Sequence, residues 1–375
     1  MKYYIIAGEP SGDLHGSNLM KGIKKADAEA QFRFCGGDMM AAVGGRENLL
    51  KHYRDMSFFG FLQVALNIRT IVGQMKACCD DIVAFNPDVV ILIDYPGFNL
   101  KIAKFAHERG IPVHYYIAPK VWAWKERRVK SLRKWVDRLY TIFPFETPYF
   151  RSKGIEPHFC GNPLVDAITE RCAAAPVEEL FRAENGLDER PVIALLAGSR
   201  VSEIKANLRF MARLAERLPS HQFVVAGVGW IAHEQYEVFT KDMPVKIVCD
   251  KTYELLQISE AAVVTSGTAT LETALIGVPE VVVYGIPWLY EKVKPYLLTI
   301  PYVSLVNINM GREVVREMVV YNPSVDEAEQ ELRSIMKGGA KREKMLKEFD
   351  ELRTIIGGAG ASDRFAEDIV RTIQK

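Results

Sequence analysis

The sequence of 375 residues predicts an α/β protein made of two parallel-sheet halves that face a cleft. Three observations carry this prediction. Short apolar runs alternate with amphipathic stretches from end to end, the pattern of βαβ units. The runs fall into two sets, separated by the stretch 161–190 with its "GNP", "AAAP" and polar "ENGLDER". Each set is long enough to form a domain. The expected organisation is therefore 1–170 for one half and 185–355 for the other, with a terminal segment 358–375. Its helix, 362–374, can pack back on the first half or on a partner chain, which would make a homodimer.

The elements follow in order. In the first set, strands are expected at 2–7, 32–35, 88–93, 112–117 and 138–143; in the second, at 191–197, 222–227, 245–249, 261–265 and 280–284. Helical periodicity fills 14–25, 61–84, 98–109, 201–217, 268–276 and 340–356. No internal repeat and no low-complexity segment is found. In such sheets ligands bind beyond the carboxyl ends of the strands, so the loops that follow strands are where chemistry is sought.

Composition narrows the function classes. Apolar residues make up 49% and charged residues 25% of the chain, the balance of a globular protein. A net charge of +1 gives no global pull toward nucleic acid, so any anion site must be local. The cysteines at 35, 78, 79, 160, 172 and 249 contain no C-x-x-C, and a reducing cytosol fits them best. The apolar run after Met1 is too short for a signal peptide, and no stretch approaches the roughly 20 apolar residues of a spanning helix. The expected place is the cytoplasm, unless something holds the chain to a membrane face. There is no D-x-D, H-E-x-x-H or Cys/His cluster, so no metal and no cofactor is expected.

"IDYPGFN", 93–99, places Asp94 at the end of an apolar strand, where a charge is costly unless it is paired or useful. Asp94 can be a general base, or it can cap the helix that follows. "AGEPSGDLHG", 7–16, opens a helix after the first strand; Gly8 and Gly12 permit close approach, Ser11 and Asp13 are good N-caps, and Glu9 lies in the turn. The loop is either a capped turn or a holder of an anion or hydroxyl.

The second half repeats the logic. "LLAGSRVSEI", 195–204, ends a strand at Gly198-Ser199-Arg200, either an ordinary cap with a surface Arg or a diphosphate site of backbone donors and a fixed cation. In "VVTSGTATLETALIGVP", 263–279, Ser266 and Gly267 break the strand. Thr268 and Ala269 then start a helix with small residues that let a phosphate approach the amides of 267–269. Glu272 follows Thr268 by four residues on the same face. It can accept both hydroxyls of a ribose, or merely favour the helix dipole. A rival lies at Gly227-Val228-Gly229-Trp230-Ile231-Ala232, a G-x-G-x-x-A with Asp250 ending the next strand, the outline of an NAD-dependent dehydrogenase.

Two further stretches stand out. "YYIAPKVWAWKERRVKSLRKWVDR", 115–138, mixes aromatics with a basic run that includes Lys120, Trp122, Arg127 and Arg128. It suits a phosphorylated small molecule, anionic lipid head groups or a solvated helix face, and it carries no nucleic-acid fold signature. In 56–75, one helical stripe can pack on a sheet, leaving Phe58, Phe59, Leu62 and Leu66 as surplus apolar residues for a wide buried face, a lipid chain or a membrane surface.

Taken together, "AGEPSGD" (7–13), "IDYPGFN" (93–99), "HYYIAPKVWAWKERRV" (114–129), "CGNPLVD" (160–166), "LLAGSR" (195–200), "TSGTATLETAL" (265–275) and "YVSLVN" (302–307) resemble, in order and over nearly the whole chain, the lipid-A-disaccharide synthase family. That resemblance implies two Rossmann-like domains of the GT-B type, the first binding the acceptor and the second the UDP-sugar. It implies metal-free transfer of 2,3-diacylglucosamine from its UDP ester to the 6-hydroxyl of 2,3-diacylglucosamine 1-phosphate, giving a β(1→6) disaccharide 1-phosphate and UDP. It also implies work at the inner face of the inner membrane, on its surface lipids, and a UDP contact for Asn307. A UDP-sugar 2-epimerase or a transferase with a soluble acceptor would share the architecture. Some relatives carry an acid where this chain has Gly97, so no proton role is assigned there.

Overall fold

The computed structural model describes residues 1–56, 68–123, 125–173, 177–286, 301–321 and 323–374. The stretch 57–67, with Phe58, Phe59, Leu62 and Leu66, lies outside them. The chain divides into two compact units, Met1–Ala167 with Ile356–Lys375, and Ile168–Ile355.

The first unit is built on strands β1 (Lys2–Ala7), β2 (Gln31–Gly36), β3 (Leu49–His52), β4 (Val89–Ile93), β5 (Val113–Tyr116), β6 (Arg138–Thr141) and β7 (Pro157–Phe159). They form one sheet in the order β3-β2-β1-β4-β5-β6-β7, every pairing parallel. The centre of the sheet is apolar on both faces: Tyr3 to Ala7 and Val89 to Ile93 are all at most 1% exposed. That is what a strand covered by helices on both sides requires, and it explains why β4 reads as a continuous apolar run.

The C-terminal helix Ala361–Ile373 belongs to this unit and packs on the helix Pro10–Ala26. Gly22 makes the approach possible, since a Cβ there would lie 2.8 Å from the Ala366 Cβ. Asp166 secures the start of the terminal helix by accepting from the amides of Gly360, Ala361 and Ser362 at 2.6, 3.2 and 2.7 Å.

The second unit carries β8 (Val192–Leu196), β9 (Gln222–Gly227), β10 (Val245–Cys249), β11 (Ser259–Thr265), β12 (Glu280–Gly285) and β13 (Glu317–Val320). Its order is β10-β9-β8-β11-β12-β13, again parallel throughout. Helices Val201–Arg217 and Thr268–Ile276 match their expected bounds. β3, β7 and β13 have no counterpart in the sequence pattern; all are edge strands of three or four residues, partly polar ("LLKH", "PHF", "EMVV"). Among the described residues no helix is long and apolar enough to cross a membrane.

Candidate functional site

In the first unit, the chemistry gathers at the carboxyl ends of β1, β4, β5 and β6. Asp94 follows β4 directly and is half-buried. Its backbone is left-handed at φ 41°, as are its neighbour Tyr95 at 45° and Ile117 at 63°, just past the adjacent β5. A β-branched residue such as Ile is a genuine outlier there. Such strain persists only where surrounding contacts impose it, and it clusters at working sites. The contacts are visible. The Asp94 amide donates to Tyr116 O at 3.2 Å, and its carbonyl accepts from Tyr115 OH at 2.5 Å and Asn99 Nδ2 at 2.8 Å.

Asp94 is not the helix cap. That position falls to Tyr95, with Pro96 opening the helix Pro96–His107, and the cap makes no side-chain hydrogen bond. Burial pushes the Asp94 carboxyl above its ordinary value, opposed by the charge of Lys120, the Tyr95 amide and the charge of Arg128. Two members of the basic run are thus brought to Asp94, while Arg127 lies exposed beside them in the turn Glu126–Arg128.

The first loop is shaped by the same residues. The Tyr95 ring covers Gly8, where a Cβ would meet ring carbon at 2.4 Å, and its hydroxyl donates to Met56 O at 2.9 Å. Glu9, not Ser11 or Asp13, is the N-cap residue, because Pro10 already supplies the first helical turn. Ser11 is exposed in that turn and Gly12 packs on Ala7, a Cβ there falling 3.1 Å from the Ala7 Cβ. Asp13 is buried and caps a different helix, Asp38–Gly44, accepting from the amides of Gly37, Met39 and Met40 at 2.8, 3.1 and 3.0 Å.

Glu146, just past β6, was not singled out by sequence reasoning. It is 1% exposed and accepts from Trp122 Nε1 at 3.0 Å and from the amides of Ile142 and Phe143 at 3.2 and 3.1 Å. Burial raises its carboxyl to about 7, against those hydrogen bonds and the charge of Lys120. Trp122 therefore serves as a strut: its indole is fixed by Glu146 and stands edge-on to Phe145. The signal was present, since "FPFE" sets an acid behind an apolar strand as "LID" does for Asp94.

The second unit gathers its groups at the carboxyl ends of β8 and β11. After β8, Gly198 turns at φ 113°, and Ser199 and Arg200 are exposed. The Ser199 amide donates to Glu203 Oε2 at 3.0 Å, Arg200 Nη1 to Glu203 Oε1 at 2.8 Å, and Trp230 Nε1 to Ser199 O at 3.2 Å. Glu203 was also not singled out, although its place three residues after Arg200 is that of a helix-start acid.

After β11, Gly267 is the N-cap in an extended backbone (φ 161°), and a Cβ there would meet nothing within 4 Å. Thr268 is exposed and Ala269 half-buried. Ser266 Oγ donates to Val303 O at 3.0 Å, joining this turn to the helix Leu305–Met310. Glu272 accepts from Tyr253 OH at 2.9 Å. Burial pushes its carboxyl up, while the Tyr253 hydrogen bond and the charge of Arg171 pull it down.

Asn307 stands apart from the exposed groups. It is 0% exposed; its Oδ1 accepts from the Val314 and Val315 amides at 2.7 and 3.0 Å, and its Nδ2 donates to Val315 O and Glu317 Oε1 at 2.8 and 2.9 Å. Its amide is spent on ordering its own loop. The dinucleotide-like turn is likewise self-contained. The Gly229 amide donates to Asp250 Oδ1 at 2.7 Å, and a Cβ on Gly229 would lie 2.1 Å from Asp250 Oδ2. The acid of the dehydrogenase outline is thus the internal cap of the turn.

Comparison with known proteins bears on the family and the fold. A model of the lipid-A-disaccharide synthetase family matches residues 3–363. The chain is 35% identical over 376 residues to a lipid-A-disaccharide synthase from Myxococcus xanthus, covering 98% of this chain and 97% of the relative. It is 34% identical over 378 residues to one from Syntrophus aciditrophicus, covering 99% and 97%. Among solved structures, a UDP-GlcNAc 2-epimerase from Neisseria meningitidis superposes with a TM-score of 0.63 over 100% of both chains, at 14% identity. That likeness bears on the fold alone, two parallel-sheet units of the GT-B type. In sequence, over nearly its whole length, the chain belongs to the lipid-A-disaccharide synthase family.

Proposed function

We propose that the chain is an inverting glycosyltransferase that moves 2,3-diacylglucosamine from its UDP ester to the 6-hydroxyl of 2,3-diacylglucosamine 1-phosphate. The products are the β(1→6) disaccharide 1-phosphate and UDP. The observation that carries the reading, beside the family, is Asp94: an acid at a strand end, on clamped left-handed backbone, with its carboxyl pushed up by burial. A sugar hydroxyl is a poor nucleophile until a base takes its proton during attack. Asp94 takes that proton as the hydroxyl oxygen bonds to the anomeric carbon, and the bond from that carbon to the UDP oxygen breaks. Direct displacement by a single base inverts the anomeric centre.

In this reading the first unit holds the acceptor. Lys120, Arg127 and Arg128 take its 1-phosphate, Trp122 and Glu146 brace their loop, and Gly8, Glu9, Ser11 and Gly12 shape the floor. The second unit holds the donor. Ser199, Arg200, Ser266 and the amides of Gly267, Thr268 and Ala269 meet the diphosphate and the charge that grows on leaving UDP. Glu272 takes the ribose hydroxyls, and Asn307 orders the neighbouring loop. Both sugars carry acyl chains, so the enzyme works peripherally at the cytoplasmic face of the inner membrane, a role that the surplus of apolar residues Phe58, Phe59, Leu62 and Leu66 in the sequence suits.

The test is UDP release from UDP-2,3-diacylglucosamine, with and without the monosaccharide 1-phosphate. Release that requires the acceptor is expected. Release without it, or none with both substrates, would overturn the proposal.

A further inference from the structure

We propose that Glu203 is a built-in stand-in for the donor's diphosphate, an internal carboxylate that the substrate must displace to bind. The inference rests on the donor-site reading above and extends it to a residue that reading leaves out.

The donors that an anion needs at the β8 loop are the Ser199 amide and the Arg200 guanidinium. One carboxylate holds both, the Ser199 amide wholly and the guanidinium through one of its nitrogens: Glu203 Oε2 accepts from the Ser199 amide at 3.0 Å, and Oε1 pairs with Arg200 Nη1 at 2.8 Å. The loop thus binds an oxyanion, its own. The contact exceeds a routine helix cap. In a capping box the third-position Glu reaches back to the amide of the N-cap residue. Here the N-cap residue is Arg200, and Glu203 reaches one residue further, to Ser199, while also holding the Arg200 side chain.

Gly198 makes room for this. Its φ of 113° favours glycine, and a Cβ there would lie 2.5 Å from Glu203 Oε2. Any side chain at 198 would push the carboxylate off the loop.

The single N–H of Ser199 cannot serve two anions at once, and while Glu203 stays, the diphosphate meets its like charge and only the remaining N–H groups of Arg200, so full use of the loop by the donor requires Glu203 to swing away. Its place on the first turn of the helix Val201–Arg217 allows that movement. The arrangement keeps Arg200 and the loop in an anion-ready shape, at the expense of affinity. It also gives UDP a competitor that favours its departure after transfer.

Calorimetric titration of the full chain with UDP tests this, using wild type, Glu203→Gln and Glu203→Asp, with uridine as the ligand that lacks a diphosphate. Glu203→Gln removes the charge; Glu203→Asp keeps it but is too short to reach Ser199. Both variants should bind UDP at least about tenfold tighter than wild type, the low end for one charge-assisted hydrogen bond. Uridine binding should not change. Equal or weaker UDP binding by both variants overturns the inference, because a carboxylate that merely braces Arg200 would give that result. A gain for uridine equal to that for UDP overturns it as well. Absence of UDP binding to all three proteins would instead fell the donor-site reading, and this inference with it.

Discussion

The Tyr115 hydroxyl donates a 2.5 Å hydrogen bond to the backbone carbonyl of Asp94, and Asn99 Nδ2 donates to the same oxygen at 2.8 Å. The left-handed turn at Asp94 is thus held largely through its backbone, and the carboxylate itself takes a hydrogen bond from the Tyr95 amide. Asparagine accepts left-handed backbone as readily as aspartate. Asp94→Asn should therefore keep its melting temperature and lose at least about 100-fold in kcat, the low end for a general base. The pH profile adds a check. A base works deprotonated, so wild-type kcat should fall on the acid side as pH drops through a pKa raised above 3.8, and the variant should lack that limb. Near-normal turnover of the variant would remove Asp94 from this role.

Gly267 separates structural from functional demand. Its backbone is extended and a Cβ there meets nothing within 4 Å, so the fold does not require glycine. A diphosphate approaching the amides of 267–269 does. Gly267→Val should fold with an unchanged melting temperature and lose UDP-induced thermal stabilisation. If the valine variant still gains stability from UDP as wild type does, the diphosphate lies elsewhere.

Much of this was legible in the sequence, for a physical reason. Central strands buried on both faces leave long apolar runs, so β1, β4, β8 and β9 could be read, together with the positions of Asp94 and Arg200 just beyond strand ends and of Glu272 one turn into the helix that follows β11. Edge strands such as "PHF" at β7 bury little and leave no such trace. What could not be read was partnership. Nothing in "AGEPSGD" says that Asp13 will cap the helix Asp38–Gly44, or that Tyr95 will cover Gly8, because those contacts join segments far apart in the chain. Asn307 shows the same limit: the motif marked the residue, but only the fold shows that its amide is spent on Val314, Val315 and Glu317.

Glu280 opens β12 as a buried acid. It is 0% exposed, and both carboxylate oxygens are without a partner among the described residues. Burial, and then the charge of Glu317, push its pKa well above the ordinary value. The folded state therefore keeps a proton that the unfolded chain releases above about pH 4.5, so the penalty grows as pH rises. Glu280→Met, similar in shape and apolar, should stabilise the protein by about 1–3 kcal/mol at pH 7. The gain should shrink toward pH 4.5. Urea unfolding at the two pH values measures it; a variant less stable than wild type at pH 7 would mean that the carboxyl has a partner.

His15 carries the opposite sign. It is 9% exposed, its Nδ1 has no partner among the described residues, and burial lowers its pKa from 6.5 to about 4, against the charge of Asp166. Between those values the unfolded chain binds a proton that the folded one refuses, so stability is full above pH 6.5 and is lost as pH falls toward 4. The shift corresponds to about 3 kcal/mol. His114, also lowered to about 4, titrates over the same range, so the wild-type curve alone cannot isolate His15. The difference between wild type and His15→Gln can. The variant should lose less stability than wild type from pH 6.5 to 4, by an amount of that order. Parallel curves for the two proteins would show that His15 takes up its proton as readily in the folded state as in the unfolded one.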